Sequence, residues 1–339
     1  MKLLDLPTEI LLTIFQHCSS ITDLTNFFRT CRHTYSVLST SQKTLVYYRV
    51  AESQFGPLHD IIQLLTLNSS QPIASVRDPP RSSALLQQIL SVGRVAKRWE
   101  GIYPCLKWDS DFANRRSLAA GERYRLRRAI YRYWLYVRAF HNASYPRTSR
   151  RVPHIVRQRL ALLQNWSTKE LIELEDFQDA MRDTISNTVC PSDSLLRSLN
   201  IRDGLDCLSC YHKQTISIPA QDYFHTSQSH CIISEHSSRN AAGCTGTCAG
   251  FGDAVTHYYL VEDLLKVDPG TLLWLYDRPQ KWHVQIYLDT LEEWFFNNGD
   301  TLAETVNLEL ETRGLDPAEG RPNAPLGIVE DLSTINAPV

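Results

Sequence analysis

Apolar residues recur every three or four positions through most of this chain. That interval lines one side of an α-helix rather than one face of a strand, so it restricts the chain to a mainly α fold. The spacing predicts helices over residues 8–18, from Ser20 onward, and over 33–40, 43–52, 58–67, 84–100, 119–141, 153–166, 168–188, 256–266, 283–297 and 300–312. Two stretches break it. Residues 68–83 hold three prolines and five serines and predict an exposed linker. Residues 191–252 are rich in Ser, Gly, Cys and His and predict loops, with room for short strands. The tail from Gly314 has four prolines and three glycines and predicts no regular structure. The expected organisation is a three-helix N-terminal module (1–50), a helical body (51–190), a Cys/His-rich loop segment (191–252), C-terminal helices (253–313) and a flexible tail (314–339). No internal repeat is visible.

Composition narrows the function classes. Of 339 residues, 43% are hydrophobic and 21% charged, which supplies core for about two domains. A formal charge of −2 does not direct the whole chain to nucleic acid or to an acidic membrane surface. No apolar run approaches the roughly 20 residues of a membrane helix. Asp5 and Glu9 interrupt the first apolar stretch, which argues against a signal peptide. Nine cysteines, an odd count without a secretion signal, point to reduced thiols in the cytoplasm or nucleus.

The first helix starts at Pro7, whose missing N–H costs nothing there, and Glu9 sits favourably against the helix dipole. Ile10 and Ile14 form one row; Leu11, Phe15 and Cys18 form the next; Leu12 lies away from both. The following Ser20-Ile21-Thr22-Asp23 fits a capping box. Ile21, Leu24, Phe27, Phe28 and Cys31 then give the second helix a broad apolar face. Three helices this short cannot bury so much apolar surface among themselves, so the rest of the chain or another protein must cover it.

Leu6-Pro7-Thr8-Glu9-Ile10-Leu11, Ile14-Phe15, Asp23-Leu24, Phe27-Phe28-Arg29-Thr30-Cys31-Arg32 and Tyr35 together resemble an F-box, with Tyr35 where the family usually has a closing Trp. The match covers roughly residues 4–45. The resemblance implies a module that binds a Skp-family adaptor and, through it, the cullin complex of an SCF-type ubiquitin ligase. It implies that Leu6, Pro7, Ile10, Leu11 and Ile14 face the adaptor, with Leu24 and Phe27 completing the surface. Phe15, Phe28 and Leu38 are expected in the chain's own core. The body would then hold a protein substrate. Residues 127–136 (RRAIYRYWLY) also resemble a segment of fungal F-box proteins whose substrates are uncharacterised.

Residues 115–159 carry thirteen arginines, no lysine and one acid, Glu122. On a helical wheel Leu126, Ile130, Trp134, Val137 and Phe140 share a face. Arg125, Arg128 and Arg132 lie opposite, with Arg123, Arg127 and Arg138 flanking. This predicts an apolar inner face and a positive outer face. The outer face is either solvated, paired with the eleven acids of residues 289–339, or a docking patch for an acidic or phosphorylated substrate at Arg125, Arg128 and Arg132. Nucleic acid is the least favoured partner, because the interleaved tyrosines sit at core spacing.

Cys207 and Cys210, with Cys244 and Cys248, form two close pairs separated by 33 residues. Four such thiolates suit a structural zinc, which would also explain how a loop-rich stretch stays folded. The alternative is ordinary reduced thiols and no cofactor. A second function class follows from the zinc: a metal-stabilised regulatory protein whose arginine helix binds an acidic partner or nucleic acid. No nucleophile elbow, zincin helix, phosphate loop or dinucleotide-binding loop occurs, so the chain is not expected to be an enzyme.

Overall fold

The computed structural model describes residues 6–198, 250–315 and 327–329, apart from positions 31, 37, 69–71, 74, 76, 110, 279 and 280. The described residues are mainly helical and include no strand. In chain order the helices are α1 (Thr8–Gln16), α2 (Ile21–Thr30), α3 (Arg32–Ser36), α4 (Thr40–Phe55), α5 (Leu58–Thr66), α6 (Ser83–Lys107), α7 (Ala120–Phe140), α8 (Pro153–Leu163), α9 (Thr168–Thr184), α10 (Asp193–Ser198), α11 (Ala254–Leu264), α12 (Pro269–Tyr276), α13 (Lys281–Asp289) and α14 (Leu302–Thr312). No helix among the described residues is long and apolar enough to cross a membrane.

Local chemistry sets many of the boundaries. Ser39 and Ser167 cap α4 and α9 in reciprocal capping boxes with Gln42 and Glu170. Asp268 caps α12 by accepting from the N–H groups of Gly270 and Thr271, and Pro269 occupies the first helical position. That helix, Pro-Gly-Thr-Leu-Leu-Trp-Leu-Tyr, lies between the helices predicted over 256–266 and 283–297, where the spacing marks none. Its apolar residues run nearly uninterrupted, because it is buried against α6 and the turn after α9, and so shows no amphipathic period.

Two apolar clusters organise the chain. The smaller contains Leu11, Phe15, Leu24, Phe28, Leu38, Val46 and Val50. Phe15, Phe28 and Leu38 are therefore in the core, as expected. The Phe15 ring centroid lies 4.9 Å from that of Phe28 and 5.3 Å from that of Phe27. The larger cluster runs from Tyr48 to Ile328. α4 belongs to both. It gives Val46 and Val50 to the first and Tyr48, Ala51 and Phe55 to the second. The division expected at residue 50 thus falls inside one continuous helix.

α7 is the axis of the body, surrounded by α5, α6 and α9. Tyr131, Tyr133 and Tyr136 are fully buried, and each hydroxyl has a partner. Tyr131 donates to the Phe55 carbonyl at 2.8 Å and Tyr133 to the Leu265 carbonyl. The Tyr136 hydroxyl meets Thr301 and Thr305 at 2.9 Å each. Phe177 on α9 packs edge-on against Trp99 and Tyr133. Gly93 lets α6 approach α4 closely: a Cβ there would stand 2.5 Å from the Phe55 ring.

The segment predicted as loop from residue 191 starts with a short helix, α10, which buries Leu196. Its two ends meet. The Phe251 N–H donates to the Pro191 carbonyl at 2.9 Å, and the Asp193 N–H to the Gly252 carbonyl at 3.1 Å. The chain therefore re-enters the body beside the point where it left. In the tail, Gly327–Val329 lies against the body with Ile328 fully buried. The Ile328 N–H donates to Asp176 at 2.9 Å, and its carbonyl accepts from Arg125 Nε at 3.0 Å.

Candidate functional site

The seven residues assigned to the adaptor surface divide by helical row. Pro7 and Ile10 are exposed, Ile10 by 48%. Leu6, Ile14 and Phe27 are half-buried beside them. Leu11 and Leu24 lie in the chain's own core, at 1% and 0% exposure. The reason is geometric. Leu11 shares its i,i+4 row with Phe15, and Leu24 with Phe28, and both rows face α4. Ile10 and Phe27 each stand one residue earlier, about 100° around the helix. Tyr35 is 61% exposed, with Lys43 Nζ 3.5 Å above its ring, and Leu45 on α4 is half exposed. Behind this face the core is closed, so the exposed side chains are not needed to complete it.

The arginine helix does not present the outer face its wheel predicts. Arg132 is 7% exposed; its Nε lies 3.3 Å from Asp60 and a terminal nitrogen 3.1 Å from Glu170. The same guanidinium stacks over Trp166. Arg128 pairs with Glu170 at 2.9 Å and with Glu173 at 2.6 Å. Arg127, also buried, pairs with Glu100. Arg125 holds the Ile328 carbonyl. The proposed docking residues Arg125, Arg128 and Arg132 are therefore engaged within the chain. The acidic partners of Arg128 and Arg132 come from α5 and α9. In the acidic end, Glu304 pairs with Arg150 and Glu309 with Arg313.

Burial pushes the carboxyl groups of Asp60 and Glu173 upward, opposed by Arg132 and Arg128 respectively. Burial also acts on Glu170, but there the Arg132 and Ser167 hydrogen bonds and the two arginine charges prevail and hold it below the usual range. The network is a structural one: paired charges taken out of water, with each arginine bridging helices.

A second polar cluster lies at the far end of α7 and was not visible in sequence. The Asp263 carboxylate accepts from the backbone N–H groups of Asn297, Asn298 and Gly299 at 2.8, 3.2 and 2.9 Å, and pairs with Lys266 at 2.9 Å. Asn297 and Gly299 reach this geometry with positive φ values of 56° and 62°. Asp300, fully buried, accepts from Gln178 and from the N–H groups of Leu302 and Ala303. His141 Nε2 lies 3.2 Å from the Thr301 hydroxyl and 3.5 Å from Asp300. Burial, reinforced by the charges of Lys266, Arg159 and Arg150, pushes His141 down to about 3, so its ring is neutral.

Cys207, Cys210, Cys244 and Cys248 lie outside the described residues. Among the described residues no group of three or more His, Cys, Asp or Glu side chains could hold a metal ion.

No family model matches the chain, and neither a curated protein nor a solved structure is significantly similar to it.

Proposed function

We propose that the chain is an F-box substrate receptor, whose N-terminal helices bind a Skp-family adaptor and whose helical body carries a protein substrate. The observation that supports this reading most is the bare row of Pro7 and Ile10, flanked by Leu6, Ile14 and Phe27, in front of an already closed core. An apolar row that the fold leaves in water is what a partner surface requires. The F-box resemblance names the partner. In this reading the protein forms no covalent bond. It raises the concentration of its substrate beside a ubiquitin-charged enzyme held by the cullin. In this reading Arg128 and Arg132 do not hold the substrate, since their guanidinium groups pair with Glu170, Glu173 and Asp60 inside the body.

The test is adaptor capture. The full chain is mixed with a purified Skp-family adaptor and the complex is measured by size-exclusion chromatography, beside a Pro7→Ala/Ile10→Asp variant. Both substituted positions are exposed, so circular dichroism and the melting temperature should be unchanged. The expected result is a stable complex that the variant loses. Failure of the wild-type chain to bind, where another F-box binds, overturns the reading.

A further inference from the structure

Gly327, Ile328 and Val329 occupy a slot formed by α6, α7 and α9. Both backbone polar groups of Ile328 are held by side chains of the body. Asp176 on α9 accepts its N–H at 2.9 Å, and Arg125 on α7 donates to its carbonyl at 3.0 Å. The body itself sets the Asp176 carboxylate: Tyr103 and Lys107 on α6 donate to it at 2.7 and 2.9 Å. Ile328 is fully buried in the larger apolar cluster, with Val329 half-buried against it. A Cβ on residue 327 would stand 2.4 Å from Asp176 Oδ2. Asp176 could swing aside only by releasing Tyr103 and Lys107, so the slot demands glycine there.

Elsewhere in the body, helix packs on helix over many residues. Here three residues are recognised in three ways: backbone groups by hydrogen bonds, one side chain by apolar burial, and one position by exclusion of a Cβ. Extended peptides are recognised in this manner, main-chain hydrogen bonds giving affinity and side-chain burial giving specificity. The recognising groups are also in place without the segment. Asp176 keeps the Tyr103 and Lys107 donors when Ile328 leaves, so departure strands no carboxylate. A site arranged in advance loses little ordering entropy when it exchanges one occupant for another.

We infer that this slot is a peptide-binding site, occupied here by the chain's own tail, and that it accepts from another protein an extended segment in which glycine precedes a β-branched aliphatic residue. The tail is then an internal competitor. A segment from outside must displace a ligand that belongs to the same chain and is held near the site by it. The inference does not rest on the adaptor reading; it stands whether or not the N-terminal helices bind a partner.

The probe is a fluorescein-labelled peptide of residues 325–331, PLGIVED, followed by fluorescence anisotropy. Two full-length chains are compared, wild type and Ile328→Asp, whose own tail no longer enters the apolar cluster. The variant should bind the peptide saturably. Wild type should bind it about tenfold more weakly or worse, because its tail competes. A peptide carrying Gly327→Val should bind neither chain. Arg125→Met, added to Ile328→Asp, should weaken binding about tenfold through the lost charged hydrogen bond. No binding by a folded Ile328→Asp chain, equal affinity of the two chains, or binding of the Gly327→Val peptide overturns the inference. If Ile328→Asp does not fold, wild type decides. With isoleucine δ1-methyl groups ¹³C-labelled, and Ile328 assigned through Ile328→Val, excess unlabelled peptide should move the Ile328 methyl resonance saturably toward its solvent-exposed position. An Ile328 methyl that stays in place while peptide is added overturns the inference as well.

Discussion

Replacing His141 should change how stability depends on pH more than it changes stability at neutrality. The ring is buried and held neutral, pushed down to about 3 from an ordinary value of 6.5, first by burial and then by Lys266, Arg159 and Arg150. In the unfolded chain it takes up a proton as pH falls below about 6.5; in the folded chain it does not. The folded-state value is the lower one, so the contribution is intact above the unfolded value and is lost as pH falls toward the folded one. At about pH 5 the unfolded form is favoured by about 1.5 pH units of proton binding, or about 2 kcal/mol, against almost nothing at pH 7. His141→Phe removes that linkage. Urea melts of both proteins at pH 7 and pH 5, in a carboxylate-free buffer, give the difference. The gap between wild type and variant should shift by about 2 kcal/mol toward the variant on acidification. Other buried groups titrate in both proteins and cancel. A gap that stays constant across this range would mean that His141 is solvated or already charged, and would refute the description of the cluster at the end of α7.

Three further outcomes follow from the packing. Phe15→Ala empties the centre of the N-terminal cluster and should cost about 3–5 kcal/mol by urea denaturation, with loss of adaptor capture secondary to unfolding. Arg132→Met strands Asp60 in the body and should cost about 3–5 kcal/mol, while Asp60→Leu/Arg132→Met should recover most of it; equal losses in the single and double variants would count against a coupled pair. Gly93→Ala drives a methyl group into the Phe55 ring and should lower stability by about 1–3 kcal/mol, although alanine is the better helix former, as thermal unfolding would register.

Helix content was legible because it rests on a local signal, the interval between apolar residues. Most predicted helices appear within a few residues of their expected ends. α12 was missed for the opposite reason, since Leu272, Leu273 and Leu275 leave no polar side to mark a period. The arginine helix shows the sharper failure. Its wheel put a charge stripe on the outside, yet Glu100, Asp60 and Glu173 meet it from 27, 72 and 45 residues away, beyond any local window. One signal was available. Tyr131, Tyr133 and Tyr136, added to Leu126, Ile130 and Val137, carry apolar surface around most of the wheel, and that marks an enclosed helix. In the N-terminal module, the row of Ile10 and the row of Leu11 could be told apart in sequence, but not which of them the rest of the chain would claim. α4 decides that, and its role depends on tertiary packing.

α4 also acts as a bearing. Sixteen residues of continuous helix, about 24 Å long, carry Val46 and Val50 into one cluster and Tyr48, Ala51 and Phe55 into the other. With no hinge between them, a partner grasped at Pro7 and Ile10 inherits a set heading and distance relative to the body. A cargo on the body would be aimed rather than tethered. Inserting one residue into the middle of α4 would turn that heading by about 100° and advance it about 1.5 Å, whereas an insertion of the same size in the 68–82 connection would leave it unchanged.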